Sequence, residues 1–406
     1  MTIWIIEPRD PLIVRDGRPF GPNPGARAAT LPFPMPSTIV GGLRHKAGLD
    51  VEGAFDRAAI ADVLKLTLRG PLLVELHADG EGVKQYLFPA PADALILEAD
   101  AQLRVLRLAP RTLPGAAVTS LPDGLQPIAP PVRLPNKVSI KAPHFWHQAV
   151  FERWLKAPAD DAFVSVDKLN DELGIGALER SVRTHVSVLP ETQTAREGAL
   201  FQTRGLEFVW RDHEAARRDN RFKTRRLALV ATLERERQSY APANFTGGLA
   251  PLGGERRLMR WFTLDAELPK PPSGLFEQII SERRARVILL TPAIFAAGYR
   301  PALSWVRGGE TAILRAAAVP RPQVVSGWDM NADNGPGRPR GKPKATRRLA
   351  PAGSVYFVEW PAGADIGAWL EATWMQNVSD TEQDQRDGFG LTAIGVWPAS
   401  DKEQQS

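Results

Sequence analysis

Arg44, His45 and Lys46 stand directly behind Gly41 and Gly42 in the stretch PMPSTIVGGLRHKAG (34–48), a basic run beside bare backbone. Glycine inside a helix costs roughly 1 kcal/mol against alanine, so two in succession imply that something approaches that backbone closely. A neighbouring strand would do this, and so would an anionic ligand drawn by the three basic side chains. A histidine beside bound phosphate also has the chemistry of a general acid or base for RNA cleavage. A histidine that hydrogen-bonds and never moves a proton is the plainer alternative. His185, on the polar side of a strand pattern, presents the same choice.

Other constellations are weaker. His144 and His147 have the i, i+3 spacing of two metal ligands, but no third ligand follows at a fitting distance. GPGRPRGK superficially resembles a phosphate loop, yet Arg338 and Pro339 interrupt it and no strand and helix flank it. No Walker loop, GxSxG elbow or HExxH helix occurs. The chain has no cysteine, which excludes disulfides, thiolate nucleophiles and cysteine-ligated metals. The expectation is therefore a protein with no catalytic residue, no metal and no cofactor.

The elements that position these residues follow from periodicity and punctuation. Ser37 or Thr38 can cap a helix over the first stretch, Pro36 sits just ahead, and Gly48 suits its end. TIWIIEPRDPLIV reads as a first strand broken near Pro8 and Pro11, followed by a polar, glycine-rich loop from Arg15 to Ala29. Further strands read at VLKLTLRGPLLVEL, VKQYLFPA, ADALILEA and QLRVLRLAP. PHFWHQAVFERWLKA reads as an amphipathic helix with Phe145, Val150, Trp154 and Leu155 turned to the core. A long hairpin is expected over 181–210. Val182, Thr184, Val186 and Val188 alternate there with Arg183, His185 and Ser187, and Leu206, Phe208 and Trp210 repeat the pattern in the second arm.

ELPKPPSG is the best linker candidate, which divides the chain into 1–268 and 269–406. From Ala285 on, the elements run strand, short helix, strand, strand, helix, strand, the split βαβ or ferredoxin-like order. The first half allows the same order with long insertions. The fold class expected is α+β, with two ferredoxin-like (RRM-like, βαββαβ) domains. Between the later strands, Arg338, Arg340, Lys342, Lys344, Arg347 and Arg348 crowd a proline- and glycine-rich stretch, expected to be a mobile, extended hook for a phosphate backbone.

At 406 residues the chain has room for two cores, and its formal net charge is +5, supplied mostly by arginine. The planar arginine fork suits phosphate and stacks on bases. No run reaches the length of a membrane span, and the N-terminus lacks the pattern of a signal peptide. A cytoplasmic protein with no membrane contact is expected.

Several blocks then line up in order: IEPRDPLIVRDGRPFG, PMPSTIVGGLRHKAG, TQTAREGALFQTRGLEF, LGGERR, TPAIF..GYRP, GWD, GKPKATRRLAPAGSVYF and GFGLTAIG. Together they resemble the family of subunit three of the type III-B CRISPR effector, the Cmr complex, within the repeat-associated mysterious protein (RAMP) superfamily. The resemblance covers nearly the whole chain. It implies two ferredoxin-like domains and a non-catalytic subunit that grips the repeat-derived 5′ handle of the guide RNA. It also implies docking to the large polymerase-like subunit and to the backbone RAMP subunit. Some superfamily relatives cleave RNA, so a metal-independent endoribonuclease that processes precursor guide RNA is the alternative.

Carried onto this chain, the RNA-facing residues would be Ser37, Thr38, Gly41, Gly42, Arg44, His45 and Lys46 on the first helix. Arg15 and Arg18 would line the same groove. Arg183, His185, Thr194 and Arg196 would form a thumb on the hairpin. Gly253, Gly254 and Arg256 would form a glycine-rich turn, with Gly388–Gly390 as a second. Lys342, Lys344 and Arg347 would contribute from the basic stretch.

Overall fold

The computed structural model describes residues 3–15, 30–50, 52–100, 102–115, 117–132, 136–159, 161–213, 223–234, 246–303, 311–329, 332, 335 and 341–398. Besides shorter pieces, its first strands are β1 (Ile3–Pro8), β2 (Thr67–Leu76), β3 (Val83–Pro89), β4 (Ala94–Ala99), β5 (Gln102–Arg107), β6 (Phe145–His147), β7 (Asp161–Ser165), β8 (Arg180–Val188) and β9 (Ala195–Leu206). They continue with β10 (Val209–Arg211), β11 (Thr224–Glu234), β12 (Gly248–Pro251), β13 (Leu258–Leu264), β14 (Arg284–Leu289), β15 (Ile313–Ala318), β16 (Val355–Glu359) and β17 (Thr392–Val396). The longer helices are α1 (Pro36–Ala47), α2 (Gln148–Lys156), α3 (Leu275–Glu282) and α4 (Ile366–Glu371). The fold is mixed α and β, and its main ladders are antiparallel.

The chain forms two compact units, Met1–Lys84 with Leu178–Ala266 and Val324–Arg348, and Gln85–Ala177 with Glu267–Gln323 and Leu349–Ser406. These interleave along the chain, where the sequence reading drew one boundary at residue 268.

In the first unit the strands lie in the order β12-β13-β1-β11-β2. Ile3, Trp4, Ile5 and Ile6 of β1 are all buried, as are Leu227, Ala228, Leu229, Val230 and Ala231 of β11. Unbroken apolar runs of this kind belong to central strands covered on both faces. Helix α1 connects β1 to β2. Among the described residues the strands of the β8–β9 hairpin pair with each other, and Leu206 at its root also bridges Leu12.

The second unit holds a sheet in the order β15-β16-β14-β17 and a smaller one, β4-β5-β7. Taken as first to fourth strands, β14, β15, β16 and β17 lie second-third-first-fourth. The set β1, β2, β11 and β13 has the same order. Among the described residues no helix lies between β14 and β15, where the sequence reading placed a short one. Helix α3 instead precedes β14 and packs on β17 and α4. Ile96, Leu103 and Val105 of the small sheet pack on Trp146, Trp154, Leu169 and Leu173. The expected helix over 143–157 starts five residues late: Phe145–His147 are strand, and Phe151, Trp154 and Leu155 are its buried side.

Candidate nucleic-acid interface

Helix α1 is capped by Met35, with Pro36 as its first residue, and neither Ser37 nor Thr38 caps it through its side chain. Both are half-buried instead. Ile39, Val40, Leu43 and Ala47 face inward. The two glycines have different reasons. A Cβ on Gly42 would lie 2.7 Å from Leu252 Cδ1 and 3.0 Å from Trp261 Cη2, so this glycine lets α1 pack down on β13. A Cβ on Gly41 would meet nothing within 4 Å, and the residue is exposed. Of the two causes inferred from the sequence, the neighbouring strand explains Gly42. Gly41 leaves backbone open to a ligand.

The basic trio divides as well. Arg44 is turned inward, 5% exposed, and its terminal nitrogen donates to Leu64 O at 3.2 Å and Leu66 O at 2.9 Å. This placement corrects its reading as an RNA-facing cation: a guanidinium at that position satisfies two carbonyls in the fold. His45 is exposed and stacks on Phe55 with ring centres 5.5 Å apart. Lys46 is half-buried, and burial draws its ammonium below the usual lysine value. Lys46 also offsets the negative end of the helix dipole.

Residues 11–15 tie the site together. On one side Leu12 exchanges backbone hydrogen bonds with Leu206, at 2.9 and 2.8 Å, and Gly205 lies so close to Pro11 that a Cβ would sit 2.6 Å from Pro11 Cβ. This clamps the root of the β8–β9 hairpin. On the other side Gly254 N–H donates to Ile13 O at 2.7 Å. Gly253 has φ +73, and a Cβ there would collide with Ile13 O, so only glycine fits. Glu255 and Arg256 follow with φ +57 and +51, a conformation non-glycine residues rarely hold. Arg257 pairs with Glu255 at 2.5 Å, and Arg256 is exposed. Leu252, which touches Gly42, leads directly into this turn. Arg15 is exposed and bridges Thr30. Thus the Gly253–Gly254 turn, Arg15 and the hairpin root meet on one segment, and α1 reaches it through Leu252, although more than half the chain separates some of them.

On the hairpin, Arg183, Thr194 and Arg196 are exposed. His185 Nε2 lies 2.9 Å from Thr203 Oγ1, and its ring stacks on Phe201 opposite, 5.2 Å away. Thr194 Oγ1 lies 2.8 Å from Thr192 Oγ1. The valine side is open too: Val182 is 52% and Leu200 58% exposed. The second arm is shorter than expected. After Leu206 the chain leaves the hairpin, and β10 pairs with β11, which buries Phe208 and Trp210 beside the sheet.

The described part of the basic stretch is not an extended loop. Trp328–Asp329 pair with Lys342–Pro343, and Gln323–Val325 pair with Arg347–Leu349. Lys342 is exposed, while Lys344 and Arg347 are half-buried. Lys342, Lys344 and Arg347 fall in the same unit as α1. Arg18, Arg338 and Arg340 lie outside the described residues.

Sequence reasoning missed how β1 disposes of charge. The Glu7 carboxylate is buried and pairs with Arg226 at 2.5 Å and with Arg260 at 3.6 Å, which holds Arg226 above its ordinary value. A lone acid closing the apolar run IWII is the signal that could have found it. His147 Nε2 lies 2.9 Å from Asn170 O. Among the described residues no group of three or more acids and histidines is placed to hold a metal, and no helix is long and apolar enough to cross a membrane.

This arrangement can bind a polyanion. It offers open backbone at Gly41, cations at Arg15, Lys46 and Arg256, and exposed basic residues along a projecting hairpin.

A family model described as CRISPR-associated protein (Cas_Cmr3) matches residues 4–397. No curated protein matches the chain. Among solved structures, it is similar to a chain of the cryo-EM structure of the Type III-B Cmr-beta bound to cognate target RNA and AMPPnP, at 15% identity and TM-score 0.43, covering 87% of this chain and 86% of that one. The Cmr-beta structure bound to cognate target RNA alone gives 16% identity, TM-score 0.43 and the same coverage. A chain of the Csm3-Csm4 subcomplex of the type III-A CRISPR-Cas interference complex gives 9% identity and TM-score 0.34, covering 90% and 94%.

Proposed function

Since this chain belongs to the Cas_Cmr3 family of CRISPR-associated proteins, we propose that it is a non-catalytic subunit of a type III-B effector complex that binds the 5′ handle of the guide RNA. The meeting of the Gly253–Gly254 turn and the hairpin root on the segment that ends at Arg15, with α1 packed on Leu252 beside that turn, carries this reading. Phosphates approach the open backbone at Gly41, and Lys46, Arg15 and Arg256 neutralise them. The hairpin, anchored at its root, reaches along the strand with Arg183, Thr194 and Arg196. Such a site reads a single strand through phosphates, 2′-hydroxyls and splayed bases together.

The same reading has the protein act in the cytoplasm and dock the large polymerase-like subunit on one side and the backbone RAMP subunit on the other. The shared strand order of β1, β2, β11, β13 and of β14, β15, β16, β17 supports two ferredoxin-like domains. His45 stacked on Phe55 and His185 held by Thr203 have positioning roles rather than proton transfer.

The test is one incubation of the purified protein, without added metal, with labelled RNA carrying the repeat handle or a scrambled one, run on native and denaturing gels. Preference for the handle with intact RNA supports the subunit reading. Cleavage at one position, lost in His45→Ala or His185→Ala, replaces it with a metal-independent endoribonuclease acting on precursor guide RNA.

A further inference from the structure

The block TPAIFAAGYRP (291–301) has no part in the site above, yet its turn is among the most heavily tied in the second unit. Bridges Phe295–Gly298 and Ala297–Arg300 fold it into a tight tip, with Gly298 at φ +75 and its N–H donating to Phe295 O at 3.0 Å. Residues 296–300 are all exposed.

The root of the tip is fastened to the segment 379–391. Buried Thr291 donates to Gly388 O at 2.8 Å and accepts from Leu391 N–H at 2.8 Å. Gly390 N–H donates to Pro292 O at 2.8 Å, and Asp380 N–H to Ile294 O at 3.1 Å. Buried Ser379 Oγ accepts from Ile294 N–H at 3.0 Å and donates to Phe389 O at 3.0 Å. The Asp380 carboxylate accepts from Ala296 N–H at 2.7 Å. This anchoring buries nothing at the tip itself. Its effect is to hold the tip in one geometry, which lowers the entropy lost when something binds there.

The tip presents Tyr299, 38% exposed, and the exposed Arg300. Among the described residues neither the Tyr299 hydroxyl nor the Arg300 guanidinium has a hydrogen bond or ion pair. No carboxylate occurs between Thr291 and Leu303. One ring and two alanines are too little apolar surface to dock a protein, which takes about 800 Å² per partner. An exposed aromatic ring with an exposed guanidinium on the next residue suits one nucleobase and its phosphate.

We propose that Tyr299 and Arg300 form a rigid contact for one unpaired nucleotide of bound RNA, the ring stacking on the base and the guanidinium pairing with phosphate. This rests on the RNA-binding reading above, and the test separates the two. In the full-length protein assembled with its partner subunits and labelled guide RNA, Tyr299→p-benzoylphenylalanine is irradiated, with Thr194→p-benzoylphenylalanine, at an exposed hairpin position, in a parallel assembly. RNA adducts from both positions are expected. An adduct at 194 with none at 299, or a protein adduct at 299, overturns the Tyr299 contact and leaves the subunit reading intact. No RNA adduct at either position overturns both. Tyr299→Ala should weaken RNA binding about 5- to 150-fold, and Tyr299→Phe, which keeps the ring, should not. Equal loss in the two variants would also overturn stacking.

Discussion

The Arg286 guanidinium and the Asp93 carboxylate meet 2.5 Å apart with neither side chain exposed, although 193 residues separate them in the chain. Asp93 also accepts from Trp154 Nε1 at 3.0 Å, and Arg286 donates through Nε to Val396 O at 2.6 Å and through its other terminal nitrogen to Trp154 O. Burial pulls the guanidinium down from its ordinary value, and Asp93 opposes that pull. The pair pins α2 to the edge of the β14–β17 ladder. Removing one partner leaves a charge buried alone, so Asp93→Ala should cost about 3–5 kcal/mol. Urea unfolding checks this. The apolar pair Asp93→Leu with Arg286→Met should recover most of the loss.

The two helix glycines should separate fold from function. Gly42→Ala forces a methyl into Leu252 and Trp261 and should destabilise by about 1–3 kcal/mol. Gly41→Ala meets open space and should stabilise the helix by up to about 1 kcal/mol, while its methyl blocks close approach of a phosphate. Thermal melts paired with RNA titrations check both.

Arg44 and Lys46 should part in the same way. Arg44→Ala removes the donor to Leu64 O and Leu66 O and should lower stability by about 1.5–3 kcal/mol. Lys46→Ala should leave stability nearly unchanged, weaken RNA binding and reduce the salt slope by about 0.9. Stability and affinity measured across a salt series distinguish the two variants.

Burial of Lys46 predicts a pH dependence with a definite sign. Its folded value lies below 10.5, so below that folded value the protein carries a partly desolvated charge, and this cost is relieved as pH rises toward 10.5. A bound phosphate favours the ammonium and raises its value, so RNA binding takes up a proton in that window. Affinity should therefore fall as pH climbs through it. Lys46→Arg, which stays charged, should not show the fall. Binding isotherms at increasing alkaline pH provide the check.

The open side of the hairpin predicts self-association. Val182, Val186, Val188 and Leu200 are each about half exposed on a two-stranded ribbon, a surface that pairs readily with other chains. Val186→Lys with Leu200→Lys should lower the aggregated fraction of the isolated protein on size-exclusion chromatography without lowering its melting temperature.

The strand at IWII, the helix that stops at Gly48, the hairpin near His185 and the family of the chain were all legible in local patterns, although the helix begins at Pro36, ahead of the caps read at Ser37 or Thr38. Apolar runs, a period of two and turn residues are written in neighbouring positions, and the ordered blocks pointed to the family whose model matches residues 4–397. The second arm of the hairpin was misread because Phe208 and Trp210 keep the alternation while pairing with another strand. The short helix expected after β14 failed for a related reason: the hydrogen bonds of Thr291, Ser379 and Asp380 hold that segment as a turn, and their partners lie some ninety residues away.

The sequence by itself determined where the main apolar strands and the first helix form, because backbone periodicity and turn chemistry act over a few residues. Only the tertiary structure decided which cations face solvent. Arg44 and Lys46 are two positions apart and equally basic, yet one is directed at the carbonyls of Leu64 and Leu66 and the other lies at the partly open end of α1. It also decided that Gly42 packs on Trp261 while Gly41 stays open. A charge or a bare backbone takes its use from what lies across from it, and that neighbour is supplied by a distant part of the chain.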